Sequence, residues 1–68
     1  MKETIIRNRQ LQIVGYIKTE SNGDKKVYNF SRMCLGKYDA ATDTTRDFYD
    51  RIVAYGEACA VFLKDLLD

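Results

Sequence analysis

The segment Ile6–Ile17, with the sequence IRNRQLQIVGYI, decides the fold of this chain because it occurs twice more. The second copy is Val27–Tyr38, VYNFSRMCLGKY, and the third, more divergent copy is Thr45–Gly56, TRDFYDRIVAYG. The copies begin 21 and then 18 residues apart. In each copy an Asn or Asp is followed seven residues later by Gly or Ala, directly after two mostly aliphatic residues. This self-similarity indicates one structural unit that is used three times.

Each copy has the pattern of a β-hairpin. Its turn begins at the Asn or Asp, whose side chain can accept a hydrogen bond from the backbone two residues later. The strand that follows is rich in β-branched and aromatic residues, which favour extended structure. The turn openers are Asn8, Asn29 and Asp47. The three hairpins are predicted over residues of about 5–20, 25–40 and 44–56.

A further turn is predicted between the first two copies, at Asn22-Gly23. This dipeptide is a strong hairpin signal because a two-residue type I′ turn requires positive φ at both central positions. A turn centred there places Glu20 opposite Lys25 and Ile17 opposite Tyr28, an opposite-charge pair and an aliphatic–aromatic pair. With a looser connection between the second and third copies, the chain is expected to form a β-meander of about six short strands.

Small residues recur inside the strands of all three copies. Strict alternation assigns two residues of each copy to one face of the sheet, Ile13 with Gly15, Cys34 with Gly36 and Ile52 with Ala54. Glycine inside a strand costs stability unless another group needs the space. We therefore expect a close approach at these positions, either around a common axis or across a subunit interface.

The last segment, 57–67, lacks turn residues and is rich in good helix formers, which predicts a C-terminal helix that begins after Gly56. Its apolar residues cover more of the helix surface than one small sheet needs. Two interpretations stay open: the helix is wedged deeply into the domain, or it is shared between subunits. The residues assigned to self-association are Val61, Phe62, Leu63, Leu66 and Leu67. The predicted fold class is mainly β with a C-terminal helix, in a single domain of residues 1–68.

Residues 5–56 resemble small bacterial domains that are built from tandem hairpins and are described as β-flower domains. The similarity rests on the three turn openers and on the strand cores Val14-Gly15, Leu35-Gly36 and Val53-Ala54. The chain departs from the family's Asp-x-x-Gly-x-x-Val-Gly type of signature where such repeats prefer a turn glycine. Here those positions hold Leu11, Arg32 and Asp50. The resemblance supports the hairpin fold and implies no chemistry.

The size of the chain favours a homo-oligomer. A chain of 68 residues is close to the lower limit for folding alone. It has no His and two Cys, so it cannot assemble a zinc site of the usual kinds, and we expect no metal and no cofactor. No secretory or membrane-spanning segment is recognisable, so Cys34 and Cys59 are interpreted as buried thiols in the cytoplasm. Oligomerisation is the remaining remedy for marginal size.

The charges are unevenly distributed along the chain. Residues 1–37 carry eight Lys or Arg against three acids, whereas residues 38–68 carry three against seven. This asymmetry is typical either of charges that pair within the fold or of a nucleic-acid-binding face. The residues assigned to such a face are Arg7, Arg9, Lys18, Lys25, Lys26 and Tyr28, with Tyr16, Phe30, Arg32 and Lys37 as further members.

No motif in the sequence predicts catalysis. There is no His to act as a base, no glycine-rich phosphate loop and no nucleophile elbow. The sequence therefore predicts a non-catalytic module that self-associates and presents a β surface to a protein partner of unknown identity. The alternative is a small protein that binds single-stranded DNA or RNA through its basic N-terminal half.

Overall fold

The chain forms one antiparallel sheet followed by a short helix. A computed structural model describes residues 2–66, with the side chain of Leu66 outside that description. The strands are β1 Lys2–Arg7, β2 Ile13–Thr19, β3 Lys25–Asn29, β4 Cys34–Asp39, β5 Thr44–Asp47 and β6 Ile52–Tyr55, and the C-terminal 3₁₀ helix is Cys59–Leu66. The strands lie in sequence order, so that β1 and β6 are the edges of the sheet. The predicted fold class, a β-meander of six strands with a C-terminal helix, is confirmed.

The three repeat turns have the same hydrogen bonds. In the first, Leu11 N donates to Asn8 O at 3.0 Å and Asn8 N donates to Gln12 O at 2.9 Å. The Asn8 Oδ1 atom also accepts from the backbone N–H groups of Gln10 and Gln12. The equivalent bonds recur at Asn29 and at Asp47. The prediction that these residues open the turns through their side chains is confirmed.

The positions where a turn glycine was expected adopt the left-handed conformation without one. The φ angles are 65° at Leu11, 65° at Arg32 and 67° at Asp50. Side chains with a Cβ are strained there, and the paired bonds from Asn or Asp hold each turn in place. The repeat therefore has the left-handed backbone geometry without the glycine that would favour it.

The turn at Asn22-Gly23 differs from its prediction. Gly23 N donates to Glu20 O and Glu20 N donates to Asp24 O, which closes a three-residue loop instead of a two-residue one. Of the two central residues expected to have positive φ, only Gly23 has it, at 97°. A type I turn followed by one left-handed residue produces this loop.

The longer loop shifts the pairing of β2 with β3 by one residue. Ile17 lies opposite Val27 and Tyr16 lies opposite Tyr28, so the predicted pair of Ile17 with Tyr28 is wrong. The predicted pair of Glu20 with Lys25 is also wrong, because Lys25 lies opposite Thr19. A shift of one residue exchanges the two faces of a strand. The observed register turns Val27 into the core, where it is fully buried.

Each repeat also contains a β-bulge just after its turn. The pairing shifts by one residue at Val14 in β2, at Leu35 in β4 and at Val53 in β6. A bulge places two residues opposite one and so breaks strict alternation. The prediction that the residues before and after each bulge share a face is therefore wrong, and Ile13, Cys34 and Ile52 lie on the face opposite to Gly15, Gly36 and Ala54.

The C-terminal helix packs across β2, β3 and β4 on one side of the sheet, which we call the covered face. The buried core there consists of Val27, Cys59 and Leu63, and the residues packed against it are Ile6, Ile17, Leu35, Tyr38 and Phe62. The other side, which carries no helix within residues 2–66, is called the open face. A three-residue helical turn brings Cys59 and Phe62 to the same side of the helix, with Leu63 beside them.

The two strand glycines make room for this helix. A Cβ atom on Gly15 would lie 2.5 Å from Tyr28 O and 2.9 Å from the Leu63 methyl groups. A Cβ atom on Gly36 would lie 2.7 Å from Arg46 O and against the Phe62 ring. The predicted close approach exists, and the group that approaches is the helix of the same chain.

The helix begins at Cys59, two residues later than predicted, because the preceding segment is tied to β5. The fully buried Thr45 donates from Oγ1 to Gly56 O at 2.7 Å and accepts from Ala58 N at 3.0 Å. The Glu57 Oε1 atom then accepts from Cys59 N at 2.9 Å, and this bond lowers the pKa of the Glu57 carboxyl. These bonds satisfy the first backbone donors of the helix.

Candidate interaction surfaces

Of the three residues assigned to self-association whose side chains are described, two pack on the core of their own domain. Leu63 is 1% exposed, and Phe62 is half-buried against the core. Val61 is the member with an exposed side chain among those described. Leu67 and the side chain of Leu66 lie outside the described residues. Leu63 and Phe62 therefore hold the helix on its own sheet, and a partner could reach Leu63 only if the helix left the sheet.

A second apolar surface lies where the three repeat turns meet, at one end of the sheet. We call it the turn end, residues 8–11, 29–33 and 47–50. Its five large apolar side chains have exposed fractions between 65% and 74%, and they are Leu11, Phe30, Met33, Phe48 and Tyr49. Successive turns are two strands apart, which is about 10 Å, so the strip extends for about 20 Å. Large exposed apolar side chains gathered at one end of a sheet indicate a candidate interaction site.

The two turns at the opposite end of the sheet are polar. These turns, residues 20–24 and 39–43, contain Asn, Ser, Thr, Asp and Glu side chains. They are joined by a hydrogen bond of 2.8 Å from Ala40 N to Asp24 Oδ1. Tyr38 donates to Asp43 at 2.6 Å, and this bond raises the pKa of the Tyr38 hydroxyl to about 12. Neither of these two turns carries a large exposed apolar side chain, whereas the three turns of the turn end together carry five.

Charge changes sign along the turn end. The first turn carries Arg9, an exposed cation. The third turn carries Asp50, whose carboxylate lies 3.4 Å from Lys37 Nζ and 3.6 Å from an Arg46 nitrogen. Asp47, which opens that turn, accepts from Arg51 N, and this bond holds the pKa of its carboxyl below the usual value. The strip thus runs from a basic first turn to an acidic third turn.

The residues assigned to a nucleic-acid face are divided by the structure. Lys18, Lys26, Tyr28 and Arg7 come together on the open face. Lys25 is on the covered face, 3.9 Å from Glu57, because of the shifted register. Arg9 lies in the first repeat turn, away from both faces, and so does not join the others.

Four cations form a straight row across the open face, which we call the cation row. Lys18 lies opposite Lys26, Lys26 opposite Lys37, and Lys37 opposite Arg46. Arg46 was not identified from the sequence because its alignment depends on the register of three successive strand pairs. The structure thus assembles the row from residues that are 28 positions apart at most.

Two tyrosine rings form the next row of the open face. Tyr16 and Tyr28 lie directly opposite each other and are half-buried. Arg32 lies 4.0 Å above the Tyr16 ring and donates to the Glu3 carboxylate at 2.7 Å, and this ion pair raises the pKa of the guanidinium. Lys18 Nζ lies 5.3 Å from the Tyr28 ring centre. Rings and cations on this face are thus already within reach of each other.

Neither a metal centre nor a membrane span is found in the described part of the chain. Among residues 2–66, no three His, Cys, Asp or Glu side chains are grouped closely enough to hold a metal ion. In the same range, no helix is long and apolar enough to cross a membrane. Both cysteines are free, with Cys59 buried and Cys34 half-buried. The prediction of buried thiols is confirmed for Cys59 and holds in part for Cys34.

Comparison with protein-family models, with curated proteins and with solved structures finds no match to this chain. The resemblance to β-flower domains stays a prediction. The function must therefore be argued from the surfaces of the chain itself.

Proposed function

We propose that this protein is a small, non-catalytic interaction module that self-associates through its turn end. The observation that carries the proposal is the strip of five large apolar side chains across the three repeat turns. Aromatic residues and Met are enriched at the centres of protein interfaces, where they contribute much of the binding energy. Burial of this strip removes five large, exposed apolar side chains from water.

A second copy of the chain is the partner that the charges favour. In a two-fold pairing of turn ends, the first turn of one copy can face the third turn of the other, and the second turn then faces its own equivalent. Arg9 of one copy then faces Asp50 of its partner, and the same contact occurs twice. The second turn, which carries Phe30, lies at the centre of such a pair.

In this proposal the turn end, and not the C-terminal helix, mediates self-association. The sequence interpretation needed an apolar helix surface that the domain leaves uncovered, whereas Phe62 and Leu63, among the described side chains, pack within the chain. The turn end serves the same purpose with side chains that have no role in the core. Oligomerisation through the turn end would bury apolar surface that one sheet and one helix leave exposed. This burial would stabilise a chain of such small size.

The cytoplasm is the compartment that we propose for this module. Cys34 and Cys59 are not joined to each other. Free thiols, one of them buried, are usual for proteins of reducing compartments.

Sedimentation equilibrium over low to high micromolar concentration tests the proposal. Wild-type protein should show a mass above that of the 7.9 kDa monomer. The variant Phe30→Ser with Phe48→Ser should be monomeric, because both side chains are 66% exposed and lie on the strip. Its melting temperature at high dilution should match that of the wild type, since neither ring belongs to the core.

Tyr55→Ser is the matched control, because Tyr55 is an aromatic residue that is 84% exposed at the opposite end of the sheet. It should leave the mass unchanged. Val61→Asp separates the helix from the turn end, and dissociation by this change alone would favour the helix route. Wild-type protein that is monomeric at every concentration would contradict self-association. The turn end would then be assigned to the binding of a different protein.

A further inference from the structure

The cation row breaks a rule of sheet stability. Three successive cross-strand pairs, Lys18 with Lys26, Lys26 with Lys37 and Lys37 with Arg46, place like charges directly opposite each other. Such pairs are destabilising, and sheets normally place opposite charges at these positions. Local rules are most often broken at functional sites. A ligand with several negative charges would remove the repulsion.

The row is only partly neutralised by the chain itself. Lys37 and Arg46 share the single carboxylate of Asp50, whose side chain is 63% exposed. Within residues 2–66, no carboxylate oxygen lies within 4.0 Å of the Nζ atom of Lys18 or of Lys26. The acid next to the row on β1, Glu3, is engaged by Arg32. Lys18 and Lys26 are therefore available for an anion, and phosphates can displace the exposed Asp50 carboxylate from Lys37 and Arg46.

The spacing of the row fits a chain of phosphates. Neighbouring strands are about 4.8 Å apart, so the four cations extend over about 14 Å. The tyrosine row lies two residues further along each strand, about 7 Å from the cations. A groove of about 310 Å³ connects the two rows, and its walls include Lys26, Lys37 and Tyr28. Its one carboxylate, Asp47, is held by Arg51 at 2.8 Å.

We infer that the open face binds single-stranded nucleic acid across the strands β2 to β5. The sugar–phosphate backbone lies along the cation row, and a base stacks at Tyr28, since the Tyr16 ring is already covered by Arg32. Aromatic rings beside a basic groove are the usual means of binding single strands, since every base has a face that can stack. A duplex hides those faces, so single strands are the favoured form. The inference does not depend on self-association.

The first test measures the binding of a labelled oligothymidine of about 15 nucleotides, a length near the upper site size of single-strand binders. With four phosphate contacts, the affinity should fall about fiftyfold between about 50 and 200 mM salt, because each contact releases counterions. The variant Lys18→Gln with Lys26→Gln should lower this salt dependence by about half. The same variant should unfold at a higher temperature than the wild type, because it removes like-charge repulsion.

Lys64→Gln is the matched control, because Lys64 is an exposed cation on the helix and not on the open face. It should change neither the affinity nor its salt dependence by much. If the control weakens binding as strongly as the double variant, binding is a property of net charge alone and the site is wrong. Absence of binding at low salt and micromolar protein would also overturn the inference.

The second test separates bases from phosphates. Tyr28→Leu should weaken oligothymidine binding about fivefold or more, since stacking on one ring contributes that much per base. The same change should have little effect on an abasic strand of equal length or on polyphosphate. If wild-type protein binds polyphosphate as tightly as oligothymidine, and Tyr28→Leu weakens neither, the face binds polyanions in general and the assignment to nucleic acid is wrong.

Discussion

The two faces of the sheet follow different rules. The covered face is neutral at its centre, where Val27 is buried beneath Leu63 and the two glycines admit the helix. The open face carries no helix from the described part of the chain and aligns four cations that repel one another. Packing explains every residue at the centre of the covered face, whereas packing does not explain the cation row. One side of this sheet therefore provides the packing that stabilises the fold, and the other side is available for binding.

The largest expected effect is on the covered face. Leu63→Ala should lower the free energy of unfolding by about 2–5 kcal/mol, because Leu63 is fully buried and its truncation leaves a cavity in a small core. Val61→Ala is the matched control on the same helix and should change stability by about 0.5 kcal/mol or less. Urea unfolding of the two variants under the same conditions checks both values. Equal effects of the two changes would show that the helix does not pack on the sheet through Leu63.

A smaller effect is expected from filling the space that the helix needs. Gly36→Ala should destabilise the fold by about 1–3 kcal/mol, because the new methyl group meets Phe62 and the backbone of Arg46. Part of this cost should disappear in a Phe62→Ala background, since the two changes share one contact. Thermal unfolding of the four proteins in this cycle gives the coupling. A cost that is unchanged in the Phe62→Ala background would mean that the sheet backbone alone excludes the methyl group.

The smallest perturbation is chemical labelling of the two thiols. Their reaction rates report the burial of the two faces without a mutation. Burial raises the pKa of the Cys59 thiol to about 12, so this group stays protonated and unreactive in the native protein at pH 8. Cys34 lies half-buried on the open face and should react first with a thiol reagent. Denatured protein should lose the difference in rate, and reductant should leave the melting temperature unchanged. Native Cys59 that reacts as fast as Cys34 would contradict a packed covered face.

The part of the fold that the repeat encodes was predictable from the sequence. Asn8, Asn29 and Asp47 specify their turns through bonds to backbone groups two and four residues later, so each turn is nearly independent of the rest of the chain. The order of strands follows, because short hairpin connections force neighbouring strands to pair.

The candidate surfaces were less predictable from the sequence. The Asn22-Gly23 signal is compatible with a two-residue or a three-residue loop, and only the burial of Val27 under the helix selects the second. The turn end was not predicted as a surface, although Leu11, Phe30 and Phe48 occupy turn positions in the sequence. Large apolar residues in repeated turns are the signal that could have identified it.

The sequence by itself determined three equivalent turns, six antiparallel strands and a helical C-terminus, because these depend on contacts between residues close together in the chain. Only the tertiary structure decided which side of each strand is buried. Bulges at Val14, Leu35 and Val53 and the loop at Gly23 each change the alternation by one residue, and their combined effect is set by the helix that packs on Gly15 and Gly36. The cation row is a consequence of that choice, because it exists only in the register that buries Val27.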